Sequence, residues 1–364
     1  MSTPVVPATG PVTAPPLSVL DLSPIPSGVG ASRALADTVD LARAAEALGY
    51  SRYWLAEHHN IPSVASSSPE IMIATVAAAT STIRVGSGGI MLPNHSPLMV
   101  AERFRVLEAL HPGRIDLGLG RAPGTDGRTA VALRRSREAV MADDFVDQYA
   151  ELLAYVDGFE PGHPLAGIEA VPADVPLPPV WILGSSTYGA QAAAALGTGY
   201  AYAGHFGSAD PVAVMQTYRE RFRPSARRPR PHAVLAVAAI VSDSAERAAA
   251  LAGANALSMV RLRQGRPGPL PTAEEAAAHE WTLLDRRVAA EAGTHLVHGT
   301  PDTVAERLAD LAGRSGADEL MVVTHVHDAA ERRRSYELLM EAWRGRSWSA
   351  AHAGSLPLTR SAAY

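Results

Sequence analysis

The chain has 364 residues, a length that fits one large domain or two ordinary ones. Its 47% hydrophobic and 19% charged residues and its mean hydropathy of +0.02 are globular values, which exclude a chain disordered throughout. The net charge of −5 gives no support for a nucleic-acid partner, and the absence of a run of about 18 apolar residues argues against a membrane span.

Two reactive residue types are missing from the sequence. There is no cysteine, which excludes disulfides, thiolate nucleophiles, iron–sulfur clusters and cysteine-based zinc sites. There is no lysine either, so all 32 basic residues are arginine, which excludes Schiff-base chemistry and a P-loop lysine. The chemistry must therefore come from His, Asp, Glu, Ser or Tyr, from a metal, or from an organic cofactor held without a covalent bond.

Both ends of the chain are predicted to lie outside the folded domain. Residues 1–16 (MSTPVVPATGPVTAPP) lack a basic segment followed by an apolar core, which indicates a flexible tail rather than a signal peptide. A similar composition predicts a second tail over 347–364 and leaves a single domain over 17–346. With no signal and no cysteine, the expected compartment is the cytoplasm.

Between the tails, apolar strands alternate with helical patterns. Eight strands are predicted near residues 17, 52, 83, 114, 179, 200, 233 and 319. Helices are predicted over 33–48, 69–80, 97–110, 129–154, 187–196, 211–222, 243–260, 301–313 and 328–345. Alternating βα units imply a parallel sheet, and eight of them fit a (β/α)8 TIM barrel. A doubly wound open sheet is the alternative, but the turn after the first strand, SPIPSGVG, has no G-x-G-x-x-G.

Two segments interrupt this alternation. Residues 155–178 are rich in Pro and Gly, and residues 261–298 combine a Gly/Pro hinge with a helical part. Loops of this length are usually functional or disordered. The second segment is predicted either to form a lid over the barrel mouth or to add a surface helix.

Active sites of such barrels lie at the C-terminal ends of the strands. The second strand ends in AEHHN, which offers Glu57 as a candidate cofactor-binding residue and His58. Adjacent strand residues point to opposite faces, so His58 and His59 are not expected to chelate one metal, and His58 is the candidate acid–base or hydrogen-bonding group. No other histidine spacing suggests zinc, so no metal is expected.

Three further features follow the next strands. Gly88-Gly89 is explained either by the close approach of a flat cofactor ring or by a bulge. The run GSSTYGA opens a helix directly after a strand, which suits either phosphate binding or simple N-capping. Arginine matches phosphate geometry, and Arg121 ends the preceding strand. The candidate phosphate residues are Arg121, Gly184, Ser185, Ser186 and Tyr188.

These motifs resemble the bacterial-luciferase-like family of flavin-dependent oxidoreductases, and within it the monooxygenases of actinobacterial secondary metabolism. The resemblance runs through LSVLDLSPI, AEHH, VGSGGIMLPNHSPL and HPGRIDLGLGRAPGTD and covers about residues 17–345. It implies that His58 acts near the flavin and that the family's non-proline cis peptide falls at Gly88-Gly89. It also implies phosphate contacts from Arg121 and from Gly184 to Tyr188. A second basic contact of some relatives falls near Val131, for which Arg128 or Arg134 is the possible substitute.

The resemblance implies a two-component reaction. A separate flavin reductase supplies reduced FMN, O₂ adds to give a C4a-peroxyflavin in a dry pocket, and an organic small molecule is oxygenated. An F420-dependent hydride-transfer oxidoreductase of the same fold is one alternative. The EHHN pattern at the end of the second strand favours FMN over F420. A non-catalytic flavin-binding protein is the other. Relatives commonly form homodimers through the helices that correspond to 69–80 and 97–110.

Overall fold

The computed structural model describes residues 14–346, in which parallel strands close into a barrel. The strands are β1 (Leu17–Asp21), β2 (Arg52–Leu55), β3 (Arg84–Ser87), β4 (Ile90–Met91), β5 (Ile115–Gly120), β6 (Val180–Gly184), β7 (Gly199–Ala203), β8 (Ala233–Val241), β9 (Leu296–Gly299) and β10 (Glu319–Val323). The ring order is β1, β2, β3, β5, β6, β7, β8 and β10, and β10 pairs back with β1. The predicted (β/α)8 barrel and its eight strands are confirmed.

Helices surround the ring and connect its strands. They are α1 (Ala31–Ala47), α2 (Pro69–Ala79), α3 (Pro97–Leu110), α4 (Gly127–Arg134), α5 (Arg137–Met141), α6 (Phe145–Asp157), α7 (Thr187–Leu196), α8 (Pro211–Arg221), α9 (Ala245–Arg263), α10 (Ala273–Ala278), α11 (Leu283–Gly293), α12 (Pro301–Ser315) and α13 (Ala329–Gly345). A 3₁₀ turn over Leu92–Asn94 precedes α3.

The strands bury both of their faces, as parallel barrel strands do. Outward side chains such as Val19 and Tyr53 join the layer between the sheet and the helices. Inward side chains such as Leu20 and Trp54 fill the barrel together with Trp181, Val234 and Met321. This alternation along each strand decides which residues reach the barrel interior.

An arginine–carboxylate network closes the N-terminal end of the barrel. It comprises Arg52, Arg84, Asp116 and Glu319, which lie in the first or second position of their strands. Arg52 reaches Asp116 at 2.6 Å and Glu319 at 3.0 Å, and Arg84 reaches Asp116 at 2.6 Å. Trp54 Nε1 donates a further hydrogen bond to Asp116 at 3.1 Å. Although burial raises the pKa of Asp116, the two arginines lower it below its usual value.

The prediction of one helix over 129–154 is wrong, because the chain forms α4, α5 and α6 there. Arg135 ends α4 in the left-handed conformation, with φ 66°. Ser136 then starts α5, and its hydroxyl accepts a hydrogen bond from the Ala139 N–H at 3.0 Å. Only α6 buries an apolar face, through residues such as Phe145 and Leu152.

The segment 261–298 forms α10, α11 and the start of β9, a strand the sequence analysis did not predict. It is tied to the loop after β1, because the Ser27 N–H donates to the Leu270 carbonyl at 2.9 Å. The Ser27 hydroxyl also donates to Glu275 at 2.6 Å. The other interruption continues α6 to Asp157 and then runs through turns without helix or strand until β6.

The predicted tails fall mostly on residues 1–13 and 347–364, outside the described part of the chain. Residues 14–16 of the predicted N-terminal tail are described, and they contact the domain: Ala14 packs against the core. The Pro15 carbonyl accepts a hydrogen bond from Trp343 Nε1 at 3.0 Å, and the Pro16 carbonyl accepts one from the Leu320 N–H at 3.1 Å.

Candidate active site

A cavity of about 580 Å³ lies at the C-terminal ends of the barrel strands. Small side chains leave this space, since Ala56, Ala201, Ala236 and Ala238 point inward in the upper half of the barrel. The volume falls within the usual range for small-molecule and cofactor sites, about 300–1,000 Å³. The position and size of the cavity suit an enzyme of this fold.

One end of the cavity is the N-terminus of α7. Gly184, Ser185, Ser186 and Tyr188 all line the cavity. Ser186 is the N-cap residue, but its side chain makes no capping hydrogen bond. The N-capping alternative therefore does not explain Ser186, and its hydroxyl is available to a ligand beside the positive end of the helix dipole.

Arg121 lies at the same end of the cavity, where the sequence analysis expected it. Its guanidinium carbon is 4.1 Å from the centre of the Tyr188 ring, and its Nη1 is 3.2 Å from Asp143 Oδ1. Both charged groups of that pair are largely exposed, so the pairing leaves Arg121 able to contact an anion. Arg128 and Arg134 do not line the cavity, and Arg134 instead donates to Asn94 at 2.9 Å.

The peptide bond between Gly88 and Gly89 is cis, at the position implied by the family resemblance. Both glycines line the cavity. A Cβ at Gly88 would lie 2.6 Å from Leu20 Cδ1, and one at Gly89 would lie 2.8 Å from the Gly118 carbonyl oxygen. The protein itself therefore requires glycine at position 89, where the neighbour is backbone, whether or not a cofactor ring also approaches; at position 88 the neighbour is the end of a side chain.

His58 lines the cavity, and one ring nitrogen is already occupied. Its Nδ1 is 3.1 Å from the Gly124 carbonyl oxygen, which can only accept, so Nδ1 carries the proton. In the neutral ring this leaves Nε2 as an acceptor. Burial lowers the pKa of His58 below 6.5, although the hydrogen bond to Gly124 opposes the shift. The ring is therefore neutral at pH 7.

Glu57, predicted to contact the cofactor, does not line the cavity and is fully buried behind it. Its carboxylate accepts hydrogen bonds from His59 at 2.8 Å, from His95 at 3.0 Å and from the Met91 N–H at 2.8 Å. Burial raises the pKa of Glu57, but these hydrogen bonds lower it below its usual value overall. Glu57 thus ties the end of β2 to the segment after β3.

Three further histidines line the cavity, and sequence reasoning missed all of them. They are His205 after β7, His295 before β9 and His325 after β10. Burial and the neighbouring histidines lower the pKa of His205 to about 3, and burial and Arg332 lower that of His325 to about 4. The signal was available, because His205 and His325 follow predicted strands directly.

Within residues 14–346, no three His, Asp or Glu side chains are arranged to hold a metal ion. None of the helices described is long and apolar enough to cross a membrane.

Comparison with known proteins identifies the family. The sequence profile of the luciferase-like monooxygenases matches residues 16–319. The chain belongs to this family. A luciferase-like monooxygenase of Escherichia coli strain K12 is 42% identical over 324 residues, or 89% of this chain and 96% of that protein. The structure of apo-MsnO8 has a TM-score of 0.81 and 37% identity, covering 92% of this chain and 99% of that one.

A relative from Bacillus subtilis is named for its activity. N-acetyl-S-alkylcysteine monooxygenase is 34% identical over 330 residues, or 90% of this chain and 97% of that protein. The protein is therefore an enzyme of the flavin-dependent monooxygenase type. The same fold also holds either flavin-like cofactor. The Pseudomonas putida 3,6-diketocamphane monooxygenase component was solved with FMN (17% identity, TM-score 0.64), and an F420-dependent secondary alcohol dehydrogenase with an F420–acetone adduct (12%, 0.67).

Proposed function

We propose that this luciferase-like monooxygenase is the oxygenating component of a two-component system that uses reduced FMN and O₂ to oxygenate an organic small molecule. The observation that carries the proposal is one cavity lined by the α7 N-terminus, by Arg121 stacked on Tyr188, and by the cis Gly88-Gly89 peptide. FMN supplies the oxygen-activating redox chemistry when it is bound. The protein contributes binding, orientation and exclusion of water.

The α7 end of the cavity fits the FMN phosphate. The hydroxyls of Ser185 and Ser186 have no hydrogen-bond partner within the described residues, and the helix dipole favours an anion there. Arg121 adds a positive charge whose planar geometry suits phosphate. The alanine-lined interior of the same cavity is then left for the rest of the ligand.

His58 is the proposed acid–base or hydrogen-bonding group. The Gly124 carbonyl holds its ring, and Nε2 remains free to accept a proton or a hydrogen bond in the cavity. The segment 261–298 is the proposed water-excluding cover, since Leu262, Leu270, Val288 and Leu296 line the cavity from it or from the adjoining end of α9.

Two partners complete the proposal. A flavin reductase in the same cytoplasmic compartment supplies reduced FMN through a transient encounter. A second copy of the chain pairs through α2 and α3, because these helices expose apolar side chains at Ile71, Met99, Val106 and Leu110.

The dimer is testable on its own. Sedimentation of the purified protein is expected to give a dimer, and Ile71→Glu combined with Val106→Glu is expected to give a folded monomer, because charges on both helices would be desolvated in the interface. The matched control is Leu283→Glu, which changes an 89% exposed leucine on α11. A dimer that survives the paired substitutions contradicts the proposed interface.

The cofactor proposal is tested by anaerobic titration with photoreduced FMN and, in parallel, with reduced F420. The FMN complex is then mixed rapidly with aerated buffer while absorbance and hydrogen peroxide release are recorded. We expect tight binding of reduced FMN and slow return of the oxidised spectrum, with little early peroxide. Tight binding with immediate reoxidation favours the non-catalytic flavin binder. Failure to bind reduced FMN, with binding of F420, favours the hydride-transfer alternative.

A further inference from the structure

The charges that line the cavity differ in sign from those of the whole chain. The protein carries a net charge of −5. Among the described residues that line the cavity, the only acidic side chain is Glu291, against the two guanidinium groups of Arg121 and Arg263, and four histidines also line it. Arg121 is accounted for by the proposed phosphate site. His58 is the proposed acid–base group, so Arg263, His205, His295 and His325 have no ligand assigned to them.

The histidines come from separate elements and meet around one part of this space. His205 interacts electrostatically with His58, His295 and His325, and His325 interacts with His58. Nδ1 of His205 is buried without a hydrogen-bond partner. The side chains of His295 and His325 also make no hydrogen bond to any described residue.

A buried nitrogen without a partner among the described residues, such as His205 Nδ1, calls for an explanation. A metal does not provide one, since the geometry offers no three-ligand set within residues 14–346. A carboxylate of the protein does not provide one either, because Glu291 is exposed and Asp21 is bound to Arg332 at 2.7 Å. A group carried by a ligand would supply the partner that the described residues do not.

We propose that His205, His295 and His325 form a binding site for the anionic group of an acidic substrate, most simply a carboxylate. Each imidazole can present an N–H to the anion, and a hydrogen bond to a charged group is stronger than one between neutral groups. Arg263 lines the same cavity from the end of α9 and forms no ion pair with a described residue, so it adds positive potential.

The inference deepens the proposed function by naming a substrate class, and it rests on that function for the reaction. The rest of the substrate would lie beside the flavin in the alanine-lined interior of the same cavity. A site that recognises a charge rejects the neutral analogue strongly, because the protein groups are then left unpaired.

The test compares carboxylic acids with their primary amides. Butanoate, hexanoate, octanoate and benzoate are titrated calorimetrically into the full-length protein, each beside the corresponding amide. We expect at least one acid to bind about tenfold or more tightly than its amide. We also expect the Cε1–H resonances of His205 and His325 to shift on acid binding in ¹³C-histidine-labelled protein, a readout that needs no variant in the titrated protein.

Variants locate the anion. His205→Leu combined with His325→Leu is expected to abolish the preference for acid over amide, whereas His163→Leu, at an exposed histidine outside the cavity, is expected to keep it. Arg121→Gln is expected to keep it as well. Loss of the preference in Arg121→Gln alone would place the acid in the phosphate site and overturn the proposal.

Two other outcomes also overturn it: equal affinity for acids and amides, or no binding of any acid in the series. Neither outcome depends on FMN, because the titrations use flavin-free protein. If the protein does not bind reduced FMN but still prefers acids to amides, the FMN proposal is wrong and the proposed anion site is supported.

Discussion

At the N-terminal end of the barrel, buried charges are paired at short distances, whereas at the C-terminal end polar groups point into a cavity without partners. Asp116 receives Arg52 and Arg84 at 2.6 Å each. At the opposite end, the Ser186 hydroxyl makes no capping hydrogen bond, and His205 Nδ1 has no partner among residues 14–346. The N-terminal end of the barrel therefore serves stability, whereas the C-terminal end has polar groups that a ligand would pair.

The largest effect is expected from a substitution in the arginine–carboxylate network at the N-terminal end of the barrel. Asp116→Ala leaves Arg52 and Arg84 near each other without their shared carboxylate, so we expect the free energy of unfolding to fall by about 3–5 kcal/mol. Denaturant unfolding measures the change. The control is Asp310→Ala, since the Asp310–Arg314 pair is more than half exposed and should contribute no more than about 1 kcal/mol.

The next effect concerns activity and leaves stability nearly unchanged. We expect His58→Ala to lower the rate of substrate oxygenation by about 10²–10⁴-fold, as for removal of a positioned acid–base group. Binding of reduced FMN should persist, because the phosphate site lies elsewhere in the cavity. His59→Ala is the matched comparison, since His59 contacts Glu57 and does not line the cavity. Equal losses in the two variants would contradict the role of His58.

A smaller effect tests the phosphate site. Arg121→Gln removes a charge that stacks on Tyr188 and is expected to weaken FMN binding about tenfold or more. Riboflavin lacks the phosphate, so its affinity should not change. Fluorescence titration with both flavins checks this. A loss of the same size for riboflavin would mean that Arg121 contacts another part of the ligand.

The smallest effect compares two serines that start helices. Ser244 caps α9, since its hydroxyl accepts a hydrogen bond from the Arg247 N–H at 3.1 Å, so Ser244→Ala should cost about 1 kcal/mol of stability. Ser186 makes no such bond, and Ser186→Ala should cost less than about 0.5 kcal/mol while weakening FMN binding a few-fold. Thermal unfolding and flavin titration of the two variants show whether each serine contributes to stability or to FMN binding. A clear stability loss for Ser186→Ala would show that this serine is structural.

Much of the fold was predictable because it depends on local patterns. Apolar runs and their spacing located all eight strands of the ring. Alternating strands and helices can form only a few parallel topologies, because connections are short and right-handed. The prediction of one helix over 129–154 failed because Arg135 adopts the left-handed conformation and ends α4. The spacing of apolar residues does not predict such a break. β9 was missed because its four residues are stabilised by pairing with β8, which is distant in sequence.

The sequence by itself determined the barrel, the family and the strand ends that carry Arg121, His58 and the glycine pair, since in a parallel barrel each strand end reaches the same mouth. Tertiary structure alone decided what each side chain does there. Glu57 turns away to bind His59 and His95, although it adjoins a cavity-lining residue. His205, His295 and His325 line one cavity only because separate elements converge; the sequence places two of them at strand ends, but nothing in their spacing predicts that the three meet.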